Sequence, residues 1–157
     1  MITLIAAMNK HQTIGLNGSM PWHNSEDLKH FKNYTMGKTV VMGRVTYEGL
    51  PHKLEGRNIL VVSKDERYDI QDLRGFLEKP HSEEIVIAGG GQIYHMALPY
   101  ADRLVISILH DNDVVGDTFF PKINNDDFNL VSETVNNTFT LKVYERKGVK
   151  YENSRDY

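Results

Sequence analysis

The run Met20-Pro21-Trp22-His23-Asn24-Ser25-Glu26-Asp27-Leu28-Lys29-His30-Phe31 places one carboxylate, Asp27, in the first turn of an expected helix, just after a Pro-Trp loop. Helical spacing puts Asp27, Leu28 and Phe31 on one face, so the acid would sit among large apolar side chains. An acid in such surroundings has a shifted proton affinity and can hold or move a proton for a bound ligand. The competing role is mundane: Asn24 is a good helix cap, and acids are common in first turns. Asp27 alone does not decide between the two.

Glycines suggest a second chemistry. The strand-like segment Glu84 to Ala88 runs into Gly89-Gly90-Gly91 and then a helix from about Gln92, which exposes backbone N–H groups suited to phosphate. This is not a GxGxxG fingerprint, and a triple glycine also makes a simple tight turn. The junction Met42-Gly43-Arg44-Val45-Thr46 repeats the strand-glycine-helix order and adds a guanidinium, while a third strand ends at Val62-Ser63-Lys64. In a parallel sheet the C-terminal strand ends share one edge, so all three junctions would face one elongated phosphorylated ligand. Taken singly, Arg44 and Lys64 are ordinary surface cations.

The elements that must position these groups follow from periodicity. Short Val- and Ile-rich runs at Ile2 to Met8, Thr39 to Met42, Asn58 to Val62, Glu84 to Ala88 and Arg103 to Leu109 read as strands. Helical stretches at Ser25 to Thr35, Val45 to Leu50, Ile70 to Lys79 and Gln92 to Leu98 lie between them. Strand-helix alternation predicts an α/β fold with a mostly parallel central sheet of about eight strands and helices on both faces. Two alternating stretches, Phe128 to Thr134 and Thr138 to Glu145, flank Val135-Asn136-Asn137 and predict an antiparallel C-terminal hairpin.

A chain of 157 residues with 40% hydrophobic and 25% charged side chains fits one ordered domain, 1–157, with 148–157 as a polar C-terminal extension. A net charge of -3 gives no general attraction to nucleic acid or an anionic membrane, so the expected partner is a small molecule. The absence of cysteine excludes thiolate catalysis, and the seven histidines show no metal-ligand spacing, so no metal is expected. Met1 to Met8 is too short for a membrane span and lacks a basic start, which reads as a cytoplasmic protein without targeting segment.

Pro21-Trp22, Asp27 with Leu28 and Phe31, Met42-Gly43-Arg44 with Thr46, Gly56-Arg57, Gly89-Gly90-Gly91-Gln92-Ile93-Tyr94 and Gly116-Asp117-Thr118 together resemble dihydrofolate reductase of the chromosomal bacterial type, in one order from Met1 to about Lys147. The resemblance implies an NADPH-dependent oxidoreductase: hydride passes from the nicotinamide C4 to C6 of 7,8-dihydrofolate while N5 gains a proton, giving tetrahydrofolate for one-carbon metabolism and thymidylate synthesis. It implies antifolate inhibitors as further ligands and a monomer.

By the same resemblance Asp27 binds the pterin through N3 and the 2-amino group and, with Trp22, favours protonation at N5. Ser107 stands where relatives carry a threonine that bonds the acid, and it keeps that hydroxyl. Ile5, Ala7, Met20, Leu28, Phe31, Leu50 and Leu54 match the walls of the substrate pocket, and Arg57 the grip on the glutamate carboxylate. Arg44, Ser63 and Lys64 match the surroundings of the adenosine 2′-phosphate, and Thr46 with Gly89, Gly90, Gly91 and Gln92 the pyrophosphate cradle. Ile14 and Tyr94 match the flanks of the nicotinamide, and Ala7, Gly43, Val62, Ala88 and Ile93 complete the cofactor side. A cis peptide is implied at Gly89-Gly90, a lid at Lys10 to Asn24, and a lid-contacting loop at Gly116-Asp117.

Departures accompany the resemblance: Gly49 and Ala88 are smaller than is common, Gln92 replaces a frequent arginine, and His52 stands where some relatives place another cation. A reductase of flavin synthesis would lack the Trp22, Asp27 and Arg57 set. A non-catalytic nucleotide-binding module would use Asp27 only as a cap. The balance between burial, which raises the Asp27 pKa, and the helix start, which lowers it, is not decided by sequence.

Overall fold

The computed structural model describes residues 1–149, so residues 150–157 of the expected extension lie outside the described residues. Strand β1 (Ile2–Met8) runs through the middle of a seven-stranded sheet. Nearly all of β1 is buried, because a strand covered on both faces needs a continuous apolar run. It pairs in parallel with β5 (Ile85–Ile87) on one side and β6 (Arg103–Leu109) on the other. Strand β3 (Thr39–Gly43) extends the parallel part beyond β5, and β4 (Asn58–Val62) closes that edge. The other side ends antiparallel, as the alternation predicts: β9 (Phe139–Arg146) pairs with β6, and β8 (Phe128–Val135) forms the outer edge.

Alternate residues of these strands feed two apolar layers. On one face Leu4, Ile87, Leu104 and Ile106 pack with Leu73 and Leu77 of α3 (Leu73–Glu78) and with Tyr94 and Ala97 of α4 (Gly91–Ala97). On the other, Ile5, Val40, Met42, Val105 and Val143 pack with Tyr34 of α1 (Ser25–Thr35). Trp22, Phe31, Leu50, Leu54 and Ala88 lie partly buried against that second layer. Helix α1 is fastened at its far end by the Tyr34 hydroxyl, which donates to Glu84 Oε2 at 2.6 Å, so its first turn has a fixed reference. None of the described helices is long and apolar enough to cross a membrane.

The main sheet has seven strands rather than about eight, and a separate two-stranded ribbon joins β2 (Thr13–Gly15) to β7 (Thr118–Phe119). Strands of two or three residues carry no readable alternation, so the ribbon was invisible to periodicity. Helix α3 starts at Leu73, later than the expected Ile70, because Ile70 donates its N–H to the Val61 carbonyl and bridges to Val62 as a strand would. Asp72 then caps the helix by accepting from Gly75 N at 3.0 Å. Helix α2 (Arg44–Glu48) begins as soon as β3 ends, with Gly43 at the cap position.

Leu104 is fully buried at the centre of the first layer. Replacement by Ala should cost about 3 kcal/mol through lost transfer energy and the cavity left behind. Urea unfolding monitored by circular dichroism measures it, and a loss below about 1 kcal/mol would contradict this packing.

Candidate functional site

The two roles open to Asp27 turn out to belong to different atoms. Asn24 Oδ1 accepts from the Asp27 backbone N–H at 2.9 Å and caps the helix, so the Asp27 carboxylate is not used for capping. The residue is 8% exposed, and Ser107 of β6, 1% exposed, faces its carboxylate and lowers its pKa. Burial raises the Asp27 pKa above its ordinary value and prevails over the Ser107 hydrogen bond and the nearby His30, which both lower it.

Leu28, expected to press on the acid, is 49% exposed, and Met20 is 51% exposed. Both are large apolar side chains on the surface next to the acid's turn, whereas Trp22, Phe31, Leu50, Leu54 and Ile5 belong to the second apolar layer. Ala7, the next-to-last residue of β1, is only partly buried. The Trp22 indole N–H is buried and finds no acceptor in the protein. Arg57 is braced by α1: its Nη1 donates to Thr35 Oγ1 at 3.4 Å and its Nε to the Glu55 carbonyl at 3.0 Å.

The two glycine junctions touch. Gly43 N–H donates to the Gly89 carbonyl at 2.9 Å, which ties the end of β3 to the turn after β5. The Gly89-Gly90 peptide is cis, as the resemblance implies. Gly89 has φ +105°, and a Cβ there would meet the Tyr94 ring at 3.2 Å. A Cβ at Gly91 would stand 2.6 Å from Thr118 Cγ2 and 3.8 Å from Ile14, and one at Gly90 3.2 Å from Thr46 Oγ1. The bare backbone between α2, α4 and the β2–β7 ribbon is thus a cradle that a side chain would fill. Tyr94 lies beneath it, fully packed, with its hydroxyl donating to the Ile5 carbonyl at 2.7 Å; burial and the Asp27 charge push its pKa up. Ile93 packs against Gly43.

At the outer end of this edge Arg44 pairs with Glu48 at 3.3 Å and lies over the Tyr68 ring, with Ser63 and exposed Lys64 at the end of β4. Ser63 Oγ accepts from Asp65 N at 3.1 Å and retains its own hydrogen for another partner. A glycine cradle leading to an arginine, a serine and a lysine fits a phosphorylated dinucleotide such as NADPH. Gln92 is exposed at the start of α4, and Val62 and Ala88 are partly buried at the ends of β4 and β5. Among the described residues no three His, Asp or Glu side chains group as metal ligands.

The loop between β1 and α1 is built onto the 112–118 segment. Asn9, fully buried, accepts from His11 N and Thr13 N and donates to Asn112 Oδ1 and the Val114 carbonyl. Asp117 N–H donates to the Gly15 carbonyl at 3.0 Å, and Asp117 Oδ2 accepts from Asn17 N at 3.0 Å, so the expected Gly116-Asp117 contact is present. Asn9 and His30 are site-building residues that the sequence reading does not single out. A polar Asn at the end of a buried strand was the one readable signal among them.

A family model for dihydrofolate reductase matches residues 1–153. The chain belongs to the dihydrofolate reductase family. A Neisseria meningitidis serogroup A dihydrofolate reductase is 45% identical over 131 residues, covering 78% of this chain and 80% of that one. The Bacillus subtilis dihydrofolate reductase is 32% identical over 161 residues, covering 97% and 94%. A dihydrofolate reductase from Enterococcus faecalis solved with NADP(H) and RAB-propyl superposes with a TM-score of 0.81 at 28% identity, covering 94% of this chain and 96% of that one.

Because the folded pKa of Asp27 is raised, the native state binds its proton more tightly than the unfolded chain does. Stability therefore falls as pH rises from the ordinary value of 3.8 through the folded value, and the cost persists above it. Asp27→Asn should melt at a higher temperature than the parent at about pH 8, with the advantage gone by about pH 3. Calorimetry across that range checks the sign; an Asn variant less stable at alkaline pH would contradict the burial of an ionised acid.

Proposed function

We infer that this chain catalyses the NADPH-dependent reduction of 7,8-dihydrofolate to 5,6,7,8-tetrahydrofolate, with Asp27 as the acid that holds the pterin. What carries the assignment of residues is one observation: a buried carboxylate of raised pKa, facing the buried Ser107, beside the sheet edge that also bears the glycine cradle. Bound NADPH supplies the hydride from its nicotinamide C4 to C6 of the pterin.

The chain's own residues do the rest. Ionised Asp27 accepts from pterin N3–H and the 2-amino group, which fixes the ring and draws positive charge toward it. That charge favours a proton at N5, and burial raises the Asp27 pKa above that of a free aspartate. Ser107 orients the carboxylate, and the orphaned Trp22 indole N–H is a donor for a water or substrate group beside it. Ile5, Ala7, Met20, Leu28, Phe31, Leu50 and Leu54 supply apolar walls, and the braced Arg57 receives the substrate's carboxylate. Ile14, Gly43, Thr46, Gly89, Gly90, Gly91, Gln92, Ile93 and Tyr94 shape the cofactor's bed, with Val62 and Ala88 at its rim. Arg44, Ser63 and Lys64 take the 2′-phosphate. Antifolates carrying a diaminopyrimidine would compete for Asp27, and the working form is a cytoplasmic monomer.

The decisive measurement is oxidation of NADPH, followed by nicotinamide absorbance, with dihydrofolate present and absent. Asp27→Asn should lower turnover at neutral pH by about 10² to 10⁴, the usual worth of general acid–base assistance. Turnover within a few-fold of the parent would remove Asp27 from this role.

Arg44→Ala should raise the KM for NADPH about tenfold or more, because a charge-assisted phosphate contact is lost. The KM for NADH should stay where it is. Equal effects on both cofactors would place Arg44 away from the 2′-phosphate.

A further inference from the structure

Asp27 lies in the first turn of α1, and helix ends open readily unless groups outside the helix hold them. Here the holder is the turn between β8 and β9. Thr138 donates its backbone N–H to Glu26 Oε1 at 2.8 Å and its hydroxyl to the same oxygen at 2.6 Å. A second acceptor, Asn24 Oδ1, lies 3.2 Å from that hydroxyl. Asn24 Oδ1 is also the atom that caps the Asp27 N–H. One exposed threonine therefore touches both side chains that define the start of the helix.

His110, the residue that follows β6, fixes that threonine in turn. His110 N–H donates to the Thr138 carbonyl at 2.9 Å, and its ring lies 2.8 Å from Thr140 Oγ1 and 3.3 Å from the Asn137 carbonyl. Strand β6 also carries the buried Ser107, which faces the Asp27 carboxylate from inside. Strand, hairpin turn and helix start thus form a closed ring of contacts around the acid. The Glu26 carboxyl is held below its usual range, first by the Thr138 hydroxyl and then by the Thr138 and Asn137 backbones and the His110 charge, so it serves as an ionised acceptor at neutral pH.

We propose that Thr138 is a positioning residue for Asp27: by latching Glu26 and Asn24 it holds the first turn of α1 closed over the carboxylate and keeps the acid in register with the pterin. The proposal rests on the reading of Asp27 given above. The latch is well placed to be tested because Glu26 and Thr138 lie outside the apolar layers, and changing them leaves the core untouched. The ionisable groups facing Asp27 are His30 on α1 and Tyr94 on α4, and His110 faces the latch; none is altered by the substitutions.

Thr138→Val removes the hydroxyl and keeps the backbone donor and the branched shape, and Thr138→Ser returns the hydroxyl. In Thr138→Val, amide hydrogen exchange at Asp27 and Leu28 should accelerate several-fold in the protein without ligands. Single-turnover hydride transfer should fall about three- to tenfold, the range one hydrogen bond commands. Its apparent pKa should move down, because water reaches an acid whose pKa burial had raised. The KM for NADPH should not change, and Thr138→Ser should restore every value. Glu26→Gln should act in the same direction and add nothing further when combined with Thr138→Val.

Unchanged exchange in Thr138→Val would overturn the latch. So would a lower rate with an unmoved kinetic pKa, or a loss expressed mainly in the KM for NADPH. A parent enzyme inert toward dihydrofolate would overturn the Asp27 reading alone, since exchange still judges the latch.

Discussion

Parallel pairing of β1, β3, β5 and β6 forces their C-terminal ends onto one edge, and everything chemical about the molecule depends on that. The edge collects Ala7, Gly43, Ala88 with the glycines after it, and Ser107, residues far apart in the chain. The hydrogen bond from Gly43 N–H to the Gly89 carbonyl extends this edge beyond the last ladder contact, so the two junctions form one surface. No side chain makes that bond, which is why glycine suffices at both ends.

Against this edge the protein holds one carboxylate at a cost. Apolar neighbours and the sheet remove water from Asp27, while a serine hydroxyl, a histidine and a helix start return only part of what water gave. Burial wins, and the acid keeps its proton at higher pH than a free aspartate. A fold optimised only for stability would place an asparagine or leucine there. The destabilised acid is tolerated because α1 is fastened at both ends: Tyr34 to Glu84 at one, Asn24 and Glu26 to Thr138 at the other.

Much of this was readable in the residues, for physical reasons that also mark the limits. Strands β1, β4 and β6 coincide with the expected bounds because long apolar runs have little freedom to end elsewhere. Helix α1 coincides because its cap is chemically explicit. Helix α3 starts late because Ile70 obeys a strand neighbour rather than its own periodicity, a tertiary fact. The ribbon of β2 and β7 and the buried Asn9 hub depend on contacts across about a hundred residues, beyond any local pattern. At the site, the expectation that Leu28 shares the face of Asp27 does not hold: successive helix residues point about 100° apart, so Leu28 faces outward while Asp27 and Phe31, four apart, share the inward face.

The loop over the site is therefore best understood through its two fixed ends. At its start, Asn9 is saturated by four hydrogen bonds to the loop itself and to the 112–114 segment, and it is fully buried. At its end, Asn24 is shared between the helix it caps and the hairpin turn. Between them the chain is held by a two-stranded ribbon, anchored at the buried Thr13, and by Asp117, whose bond to Asn17 N is exposed. The arrangement separates duties: the ends keep β1 and Asp27 in place, and the middle, which carries Ile14 and the exposed Met20, touches the rest of the fold through the ribbon and Asp117 rather than through the first turn of α1.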